Sequence, residues 1–240
     1  MRLTPPRSDR PEMMDRPGLA RSDLDRALRD IRLVNRFLGG RRALLAALRP
    51  VLRRAAGPLE LLDVGTGGAD LPLAMVRYAR RMGRQLRVTA LDRDSAIASI
   101  AARESADTPQ VRVVTADAFR LPFAPRSFDV VTASMFLHHF AHEDVVKLLA
   151  SFRRLARQAV LINDLRRHRL PWSVIHGVAR ITRRHPIFVH DAPLSVLRGF
   201  TPAELRRAAR EAGDGTARVA RRWPYRLVLT LAPEPTEEPA

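Results

Sequence analysis

The sequence predicts an α/β fold with a seven-stranded, mostly parallel sheet and helices on both of its faces. From residue 57 to residue 232, short apolar runs that favour strands alternate with longer segments of helical periodicity. This order is typical of parallel strands joined by crossover helices. The first apolar run, Leu59–Val64, ends in three glycines within four positions, and a helix-compatible segment follows. Strand, tight turn and helix in this order begin such a fold.

Each element of the sheet domain has its own signal in the sequence. The predicted strands are 59–64, 85–91, 111–115, 127–134, 159–162, 217–220 and 226–231. The predicted helices between them are 70–82, 95–104, 143–157 and a last one opened by Thr201 as cap and Pro202 in its first turn.

Two helices are predicted before the first strand. Residues 1–21 hold four prolines and many charges, so we expect a disordered or loosely attached arm. Ser22 can cap a helix whose apolar periodicity stops at the glycine pair 39–40. A second apolar helix is expected over 41–55. The segment 22–56 therefore precedes the sheet, and 233–240 is expected to be an acidic, proline-rich tail.

The composition bounds what the protein can do. There is no cysteine, so neither disulfides nor thiolate metal sites are available. The first twenty residues lack the apolar core of a secretory signal, and no apolar run approaches the ~18 residues of a membrane span, so a cytoplasmic protein is expected. The net charge of +17 invites a nucleic-acid partner, but the basic residues are spread along the chain and Lys147 is the only lysine. We expect no nucleic-acid partner; contact with anionic membrane surfaces stays open.

The glycine turn is suited to bind a nucleotide-like ligand. Glycine accepts a positive φ and lets a ligand lie against bare backbone, while the helix that follows offers unpaired N–H groups. The dinucleotide pattern G-x-G-x-x-G is not met, because Asp70 stands three positions after Gly67. A dehydrogenase is therefore disfavoured.

Four ordered motifs resemble class I S-adenosylmethionine-dependent methyltransferases, in particular the ubiquinone and menaquinone methyltransferase-like branch. The first motif is Asp63-x-Gly65-x-Gly67, in which Ala69 stands where the family has a third glycine. The others are Asp92 at the end of the second strand, Asp117 after the third, and the phrase from Leu121-Pro122-Phe123 to Phe128-Asp129-Val130-Val131. The resemblance implies a Rossmann-like sheet and S-adenosyl-L-methionine as cofactor.

The resemblance also implies where the cofactor binds. Asp92 can accept two hydrogen bonds from ribose hydroxyls, as a carboxylate at this strand end does in related folds. In the family, a side chain at the position of Asp117 takes the adenine amino group, and the next backbone N–H, here that of Ala118, takes a ring nitrogen. The full set of expected cofactor-binding residues is Asp63, Gly65, Thr66, Gly67, Asp92, Arg93, Asp117, Ala118 and Ser134. The helices of 22–56 are expected to form a lid over this pocket, with plain packing on the sheet edge as the alternative.

Three histidines follow the fourth strand, where ligands bind in open α/β sheets. His138 and His139 can supply a base whose pKa lies near neutrality. His142 completes a group of three within five residues, which suggests a metal. No Glu or Cys accompanies the group at a ligand spacing, so we expect no metal.

Residues 165–200 are an insertion after the fifth strand, where this fold commonly builds substrate selectivity. An apolar helix is expected through Trp172, and Arg183-Arg184 is expected to end it. The runs 163–167 and 190–198 resemble methyltransferases that accompany type III polyketide synthases, whose substrates are phenolic or quinonoid. His190, with Asp191 to orient it, is therefore a second candidate base beside His139, and His138 is a third.

The sequence supports one leading hypothesis and two alternatives. The leading hypothesis is methyl transfer to a small phenolic, quinonoid or polyketide-like acceptor, on oxygen or carbon. One alternative keeps the cofactor and makes RNA the substrate of the arginine-rich surface. The other is a non-catalytic S-adenosylmethionine-binding protein, which Ala69 suggests.

Overall fold

A seven-stranded sheet in the order β3-β2-β1-β4-β5-β7-β6 forms the centre of the computed structural model. The structure describes residues 3–16, 18–181 and 185–235. β1 to β5 run parallel, and β7 pairs antiparallel with both β5 and β6. The strands are β1 (Leu59–Val64), β2 (Leu86–Asp92), β3 (Val111–Thr115), β4 (Phe128–Ser134), β5 (Ala156–Leu165), β6 (Arg218–Arg222) and β7 (Arg226–Leu231). The predicted fold class is confirmed.

Eight α-helices are found in the described residues, two of them before the sheet. They are α1 (Arg21–Phe37), α2 (Gly40–Arg54), α3 (Asp70–Arg81), α4 (Ser95–Glu104), α5 (His142–Leu155), α6 (Arg169–Ile181), α7 (Pro186–Arg198) and α8 (Pro202–Glu211). There are also two short 3-10 helices in the described residues. Met13–Asp15 lies in the N-terminal arm, and Leu137–His139 lies in the loop after β4.

The strand residues alternate between two apolar cores, one on each face of the sheet. Leu61 of β1 packs with α2 and α3, whereas Leu62 packs with α5 and α8. α2 is thus a packing helix that covers the sheet. The other N-terminal helix, α1, packs on α4 through Leu24 and Leu28.

The local signals for several helix ends are confirmed. Asp94 caps α4 by accepting hydrogen bonds from the amides of Ala96 and Ile97. Thr201 and Glu204 form a complete capping box on α8. Ser22 was expected to cap α1, but the helix begins one residue earlier and the cap position, Ala20, has no side-chain hydrogen bond.

The N-terminal arm differs most from its prediction. The sequence predicts disorder over 1–21, yet residues 3–16 pack against the insertion and the loop after β4. Arg7 donates to the carbonyl oxygen of Arg198 at 2.7 Å, and Glu12 is only 4% exposed. Polar side chains, which hydrophobic periodicity does not register, hold this segment.

Other expectations differ by a few residues or fall outside the described part. β5 is ten residues long where four were expected, because its partner β7 extends the ladder as far as Leu165. The predicted helix end at Arg183-Arg184 lies outside the described residues, as does most of the tail 233–240. The division into arm, lid, domain and tail remains an interpretation of the sequence.

Candidate active site

A cavity of about 1120 Å³ lies at the carboxyl ends of the parallel strands. Its floor is the glycine turn together with the ends of β2, β3 and β4. Its other walls come from α1, the short helix of the arm, α6 and α7. The cavity therefore joins the predicted cofactor site to the insertion. Every predicted cofactor-binding residue lines it: Asp63, Gly65, Thr66, Gly67, Asp92, Arg93, Asp117, Ala118 and Ser134.

The turn after β1 needs glycine at two positions. Gly65 has φ of +69°, and a Cβ there would lie 2.3 Å from the ring of Phe136. Gly67 has φ of +55°, and its Cβ would lie 3.3 Å from Leu28 of α1. Ala69, where the family has glycine, also takes a positive φ of 57°. The alanine therefore keeps the left-handed turn, although this backbone conformation destabilises the fold by roughly 1 kcal/mol relative to glycine.

Asp63 is buried at the start of this turn. Thr132 and Thr66 donate hydroxyl hydrogen bonds to its two carboxylate oxygens at 2.7 and 2.9 Å. Burial nevertheless dominates and raises the pKa of Asp63 to about 7, with the nearby charges of Asp70 and Asp92 adding to the shift. A carboxylate so enclosed is prepared for a cationic ligand group, which would restore its ordinary ionisation.

Asp92 and Asp117 lie at neighbouring strand ends. Asp92 accepts hydrogen bonds from the amides of Gly67 at 3.1 Å and Asp94 at 3.2 Å, which orients its carboxylate along the cavity floor. Burial raises the pKa of Asp92 above its ordinary value. Asp117 accepts from the amide of Phe119 at 2.9 Å and remains exposed. The two carboxylates that are expected to bind the ribose and the adenine, Asp92 and Asp117, therefore lie at one edge of the sheet.

Ser134 is the last residue of β4, lies on the same floor and is hydrogen-bonded to β5. The side-chain Nδ2 of Asn163 donates to Ser134 Oγ at 2.7 Å. Asn163 and Asp164 directly follow the predicted fifth strand, but in the structure both are fully buried inside β5. They act by holding the loop after β4.

His138 is confined between two carboxylates. Its Nδ1 lies 2.7 Å from Asp164 Oδ1, and its Nε2 lies 3.5 Å from Glu12 Oε1. Burial would lower the pKa of this imidazole, but the charge and hydrogen bonds of Asp164 and the contact with Glu12 outweigh it and raise the pKa to about 10. His138 was a candidate base. Because a carboxylate already lies beside each of its ring nitrogens, His138 is poorly placed to take a proton from a ligand, and its role as a base stays a prediction.

His139 and His190 stand in different surroundings. His139 lines the cavity, and its Nδ1 lies 3.0 Å from Asp15 of the arm. His190 makes the predicted pair with Asp191 at 2.7 Å, but among the described residues only Asp191 of the two lines the cavity. Asp191 also accepts the amides of Met13 and Met14 at 2.8 and 2.9 Å. The geometry therefore favours His139 as the base and gives Asp191 a role in anchoring the arm.

Sequence reasoning missed Glu12 and Asp15, because a proline-rich arm gives no signal for burial. α1, which belongs to the segment expected to form a lid, lines the cavity. Of the apolar residues in the loop after β4, Met135 and Phe140 line the cavity, whereas Leu137 lies in the core of the sheet.

Residues 61–159 match a family model described as a methyltransferase domain. Taken with the fold, this match supports a class I S-adenosylmethionine-dependent methyltransferase, with S-adenosyl-L-methionine as the cofactor. The enzyme class and the cofactor predicted from the motifs are thus supported.

Two curated relatives and one solved structure illustrate the likeness. The 2-phytyl-1,4-naphtoquinone methyltransferase of Thermosynechococcus vestitus is 36% identical over 94 residues, which cover 39% of this chain and 40% of that protein. The demethylmenaquinone methyltransferase of Thermotoga maritima is 31% identical over 101 residues, 42% of this chain and 40% of that protein. Human N-acetylserotonin methyltransferase in complex with SAM has a TM-score of 0.65 at 14% identity, over 89% of this chain and 56% of that one. The chain thus matches about two fifths of the length of the curated relatives.

Among the described residues, no helix is both long and apolar enough to cross a lipid bilayer.

Proposed function

We propose that this protein transfers a methyl group from S-adenosylmethionine to a small phenolic, quinonoid or polyketide-like acceptor. The observation that carries the proposal is a single cavity that contains all nine predicted cofactor contacts at one end and an apolar wall from α6 and α7 at the other. A volume of about 1120 Å³ lies at the upper end of the range of small-molecule pockets and leaves room for a cofactor and an acceptor together.

The residues present fit the cofactor. The turn offers bare backbone at Gly65 and Gly67, where a Cβ would collide with Phe136 or press on Leu28. Asp92 can accept the ribose hydroxyls, and Asp117 with the amide of Ala118 can take the edge of the adenine. Asp63, together with Ser134, borders the end of the cavity where the amino-acid part belongs, and its carboxylate suits an ammonium group.

The protein has few chemical tasks in such a transfer. When bound, S-adenosylmethionine supplies a sulfonium methyl group that is already a strong electrophile. The chain has to hold the acceptor in line with this group and exclude water, and positioning of this kind can contribute roughly 7–11 kcal/mol. His139 is the candidate base: Asp15 fixes its Nδ1, so Nε2 is free to take a proton from an acceptor hydroxyl. Oxygen and carbon methylation both begin with that proton removal.

The acceptor class is supported by the walls of the insertion. Val174, Ile175 and Val178 of α6 line the cavity together with Ile187 and Phe188 of α7. The two curated relatives are named for naphthoquinone and menaquinone substrates, which are apolar ring compounds. The likeness to methyltransferases that accompany type III polyketide synthases, and a cytoplasmic location, both from the sequence, remain parts of this proposal.

The test is calorimetric binding of S-adenosylhomocysteine to the purified full chain, followed by transfer of labelled methyl to a panel of phenols and quinones. We expect binding by the wild type, and at least a tenfold loss for Asp92→Asn because the ribose contact and the Gly67 anchor are weakened. Asp107→Asn, an exposed carboxylate near the opposite end of β3, serves as the matched control and should bind normally. Absence of binding to the folded wild type would refute the proposal, and binding without any labelled product would favour the non-catalytic alternative.

A further inference from the structure

Three side chains that could bind a metal meet at the wall of the cavity. Glu12 comes from the arm, and His138 and His139 come from the short helix after β4. One ligand atom from each lies within 4.8 Å of the corresponding atom of the other two. Glu12 and His138 are buried and His139 is half-buried, and all three line the cavity.

Both histidines are oriented in the way that metal ligands are. Asp164 holds Nδ1 of His138 at 2.7 Å, and Asp15 holds Nδ1 of His139 at 3.0 Å. A carboxylate on one ring nitrogen fixes the ring and raises the basicity of the other nitrogen, an arrangement that nearly always accompanies ligating histidines. The nitrogen left for a cation is Nε2 in each ring. Two such pairs side by side are a second observation beyond the cluster itself.

The peptide that carries the histidines is also fixed in place. Arg198 donates from Nε to the carbonyl oxygen of His138 at 3.0 Å and from Nη2 to that of His139 at 2.6 Å. Arg7 of the arm donates to the carbonyl oxygen of Phe140 at 3.0 Å. Glu12 is held in turn by the hydroxyl of Ser195 at 2.9 Å. The three side chains are thus held by independent contacts, which reduces the reorganisation that a bound ion would require.

We propose that Glu12, His138 and His139 form a binding site for a divalent cation, with Zn²⁺ as the ion that best suits this donor set. Two imidazole nitrogens and one carboxylate are the three protein ligands of a common kind of zinc site, which keeps a fourth position open. The separation of 3.5 Å between His138 Nε2 and Glu12 Oε1 is close to the ligand-to-ligand distance of about 3.3 Å that tetrahedral zinc requires at its usual bond lengths. Mg²⁺ and Ca²⁺ prefer oxygen ligands and are not expected here.

The expectation of no metal was based on neighbouring residues alone. It did not consider Glu12, which comes from the arm, 126 residues before His138. A cation bound here would compete with protons for Glu12 and the two histidines, as metal binding generally does.

The open position of the cation faces the cavity beside the predicted acceptor site. If the proposed function holds, a hydroxyl or carbonyl oxygen of the acceptor would bind there, and the cation would lower the pKa of a bound hydroxyl, which would give its proton to solvent water. In the cation-bound chain His139 would be a ligand and not the base that it supplies in the metal-free chain, and cofactor binding would stay with the turn.

The experiment measures Zn²⁺ binding by the full chain after chelator treatment, by calorimetry and by elemental analysis, with Co²⁺ as a spectroscopic substitute. We expect one Zn²⁺ per chain, and a visible Co²⁺ band of tetrahedral intensity. Glu12→Gln and His139→Gln should each weaken binding at least tenfold, because each removes one of three ligands. His142→Gln is the matched control, since His142 belongs to the same segment but pairs with Glu211 outside the cavity.

Binding of S-adenosylhomocysteine is measured on the same samples to confirm that each variant is folded. The inference is overturned if the wild type binds no Zn²⁺, or if Glu12→Gln and His139→Gln bind it as the wild type and His142→Gln do. Because S-adenosylhomocysteine uses other residues, its failure to bind would count against the proposed function, whereas loss of Zn²⁺ binding alone would count against the cation site.

Discussion

Asp63 has a buried carboxylate that suits a cationic ligand group but lowers the stability of the folded chain when it is charged. It is 2% exposed, lines the cavity and has only two neutral hydroxyl donors to satisfy its charge. Burial therefore raises the pKa of Asp63 from its ordinary value of 3.8 to about 7. A protein with no ligand to place beside this carboxylate would be more stable with a neutral group there.

The expected consequence is a pH-dependent loss of stability that belongs to Asp63. The pKa of Asp63 is higher in the folded chain than in the unfolded chain. The free energy of unfolding is therefore highest below pH 3.8, where Asp63 is protonated in both states, and it falls as the pH rises from 3.8 to about 7. Asp63→Asn, which keeps the shape, should be as stable as wild type near pH 4 and more stable at pH 8, by as much as about 4 kcal/mol. Urea unfolding of both proteins across this pH range measures the difference.

The same substitution should weaken S-adenosylhomocysteine binding, because the neutral amide does not attract an ammonium group. Thr216→Ala, which removes an exposed hydroxyl contact to Asp214, serves as a control for changes unrelated to the turn. Equal pH dependence of stability in wild type and Asp63→Asn would show that Asp63 does not titrate in this range.

At the scale of elements, the sequence predicts the sheet well and the arm poorly. β1, β3 and β7 begin and end at the predicted residues, because a short apolar run between turn residues is a local signal. The cofactor end of the site follows from the ends of β1, β2, β3 and β4, since each predicted residue stands at or just after one of them. α7 was not predicted as a helix, because Pro193 lies inside it and the apolar periodicity is weak.

The arm could not be predicted, because its contacts are polar and lie far away in sequence. Glu12 and Asp15 reach histidines more than a hundred residues later, and neither lies in a periodic apolar segment. The surroundings of His138 could not be predicted for the same reason: its two carboxylate partners come from β5 and from the arm. The chemistry of the acceptor end therefore depends on tertiary contacts that local patterns do not encode.

The structure indicates that Asp191 anchors the arm to α7. Its carboxylate accepts the backbone amides of Met13 and Met14. Asp191→Ala should release these amides, because no other acceptor replaces the carboxylate, and residues 3–16 should separate from the cavity more often. We expect cleavage by trypsin after Arg7, which Ser8 follows, to become at least several-fold faster, and methyl transfer to decline; Arg10 and Arg16 precede proline and are not cleaved.

Asp144→Ala is the matched control for this experiment, since Asp144 makes an exposed ion pair with Lys147 on α5. Its cleavage rate in the arm should equal that of the wild type. If Asp191→Ala is cleaved at the wild-type rate while remaining folded, the arm is held by its other contacts and Asp191 is not its anchor.

On the scale of the whole molecule, the arginines that give the net charge of +17 fall into two groups, buried and exposed. Several arginines are buried and bind carbonyl oxygens of distant segments: Arg153 donates to Ala212 and Ala232, and Arg167 donates to Pro5 and Gly199. The others are spread along the sequence, and the large exposed apolar side chains of the described residues include three aromatic ones, Phe37, Phe119 and Trp223, which is too few for a row of stacking platforms. The charge therefore gives no specific support to a nucleic-acid surface.

The final prediction concerns RNA as the alternative acceptor. The cavity is covered by α1, the arm, α6 and α7, so a base could reach it only after leaving its stack and entering between these elements. We expect RNA to bind through scattered charge alone, with an affinity that falls on the order of a hundredfold or more between 50 and 200 mM salt. Filter binding at the two salt concentrations measures this, and labelled cofactor measures methylation of the same RNA.

No label should enter RNA at either salt concentration, while a phenol or quinone of the panel becomes labelled under the same conditions. Poly-aspartate added in excess is the control, because it should displace RNA held by charge and leave methylation of a neutral acceptor unchanged. RNA that binds with little dependence on salt and accepts the methyl group would overturn the small-molecule assignment. In that case the acceptor end of the cavity would have to open wider than the contacts of the arm and α7 permit in this structure.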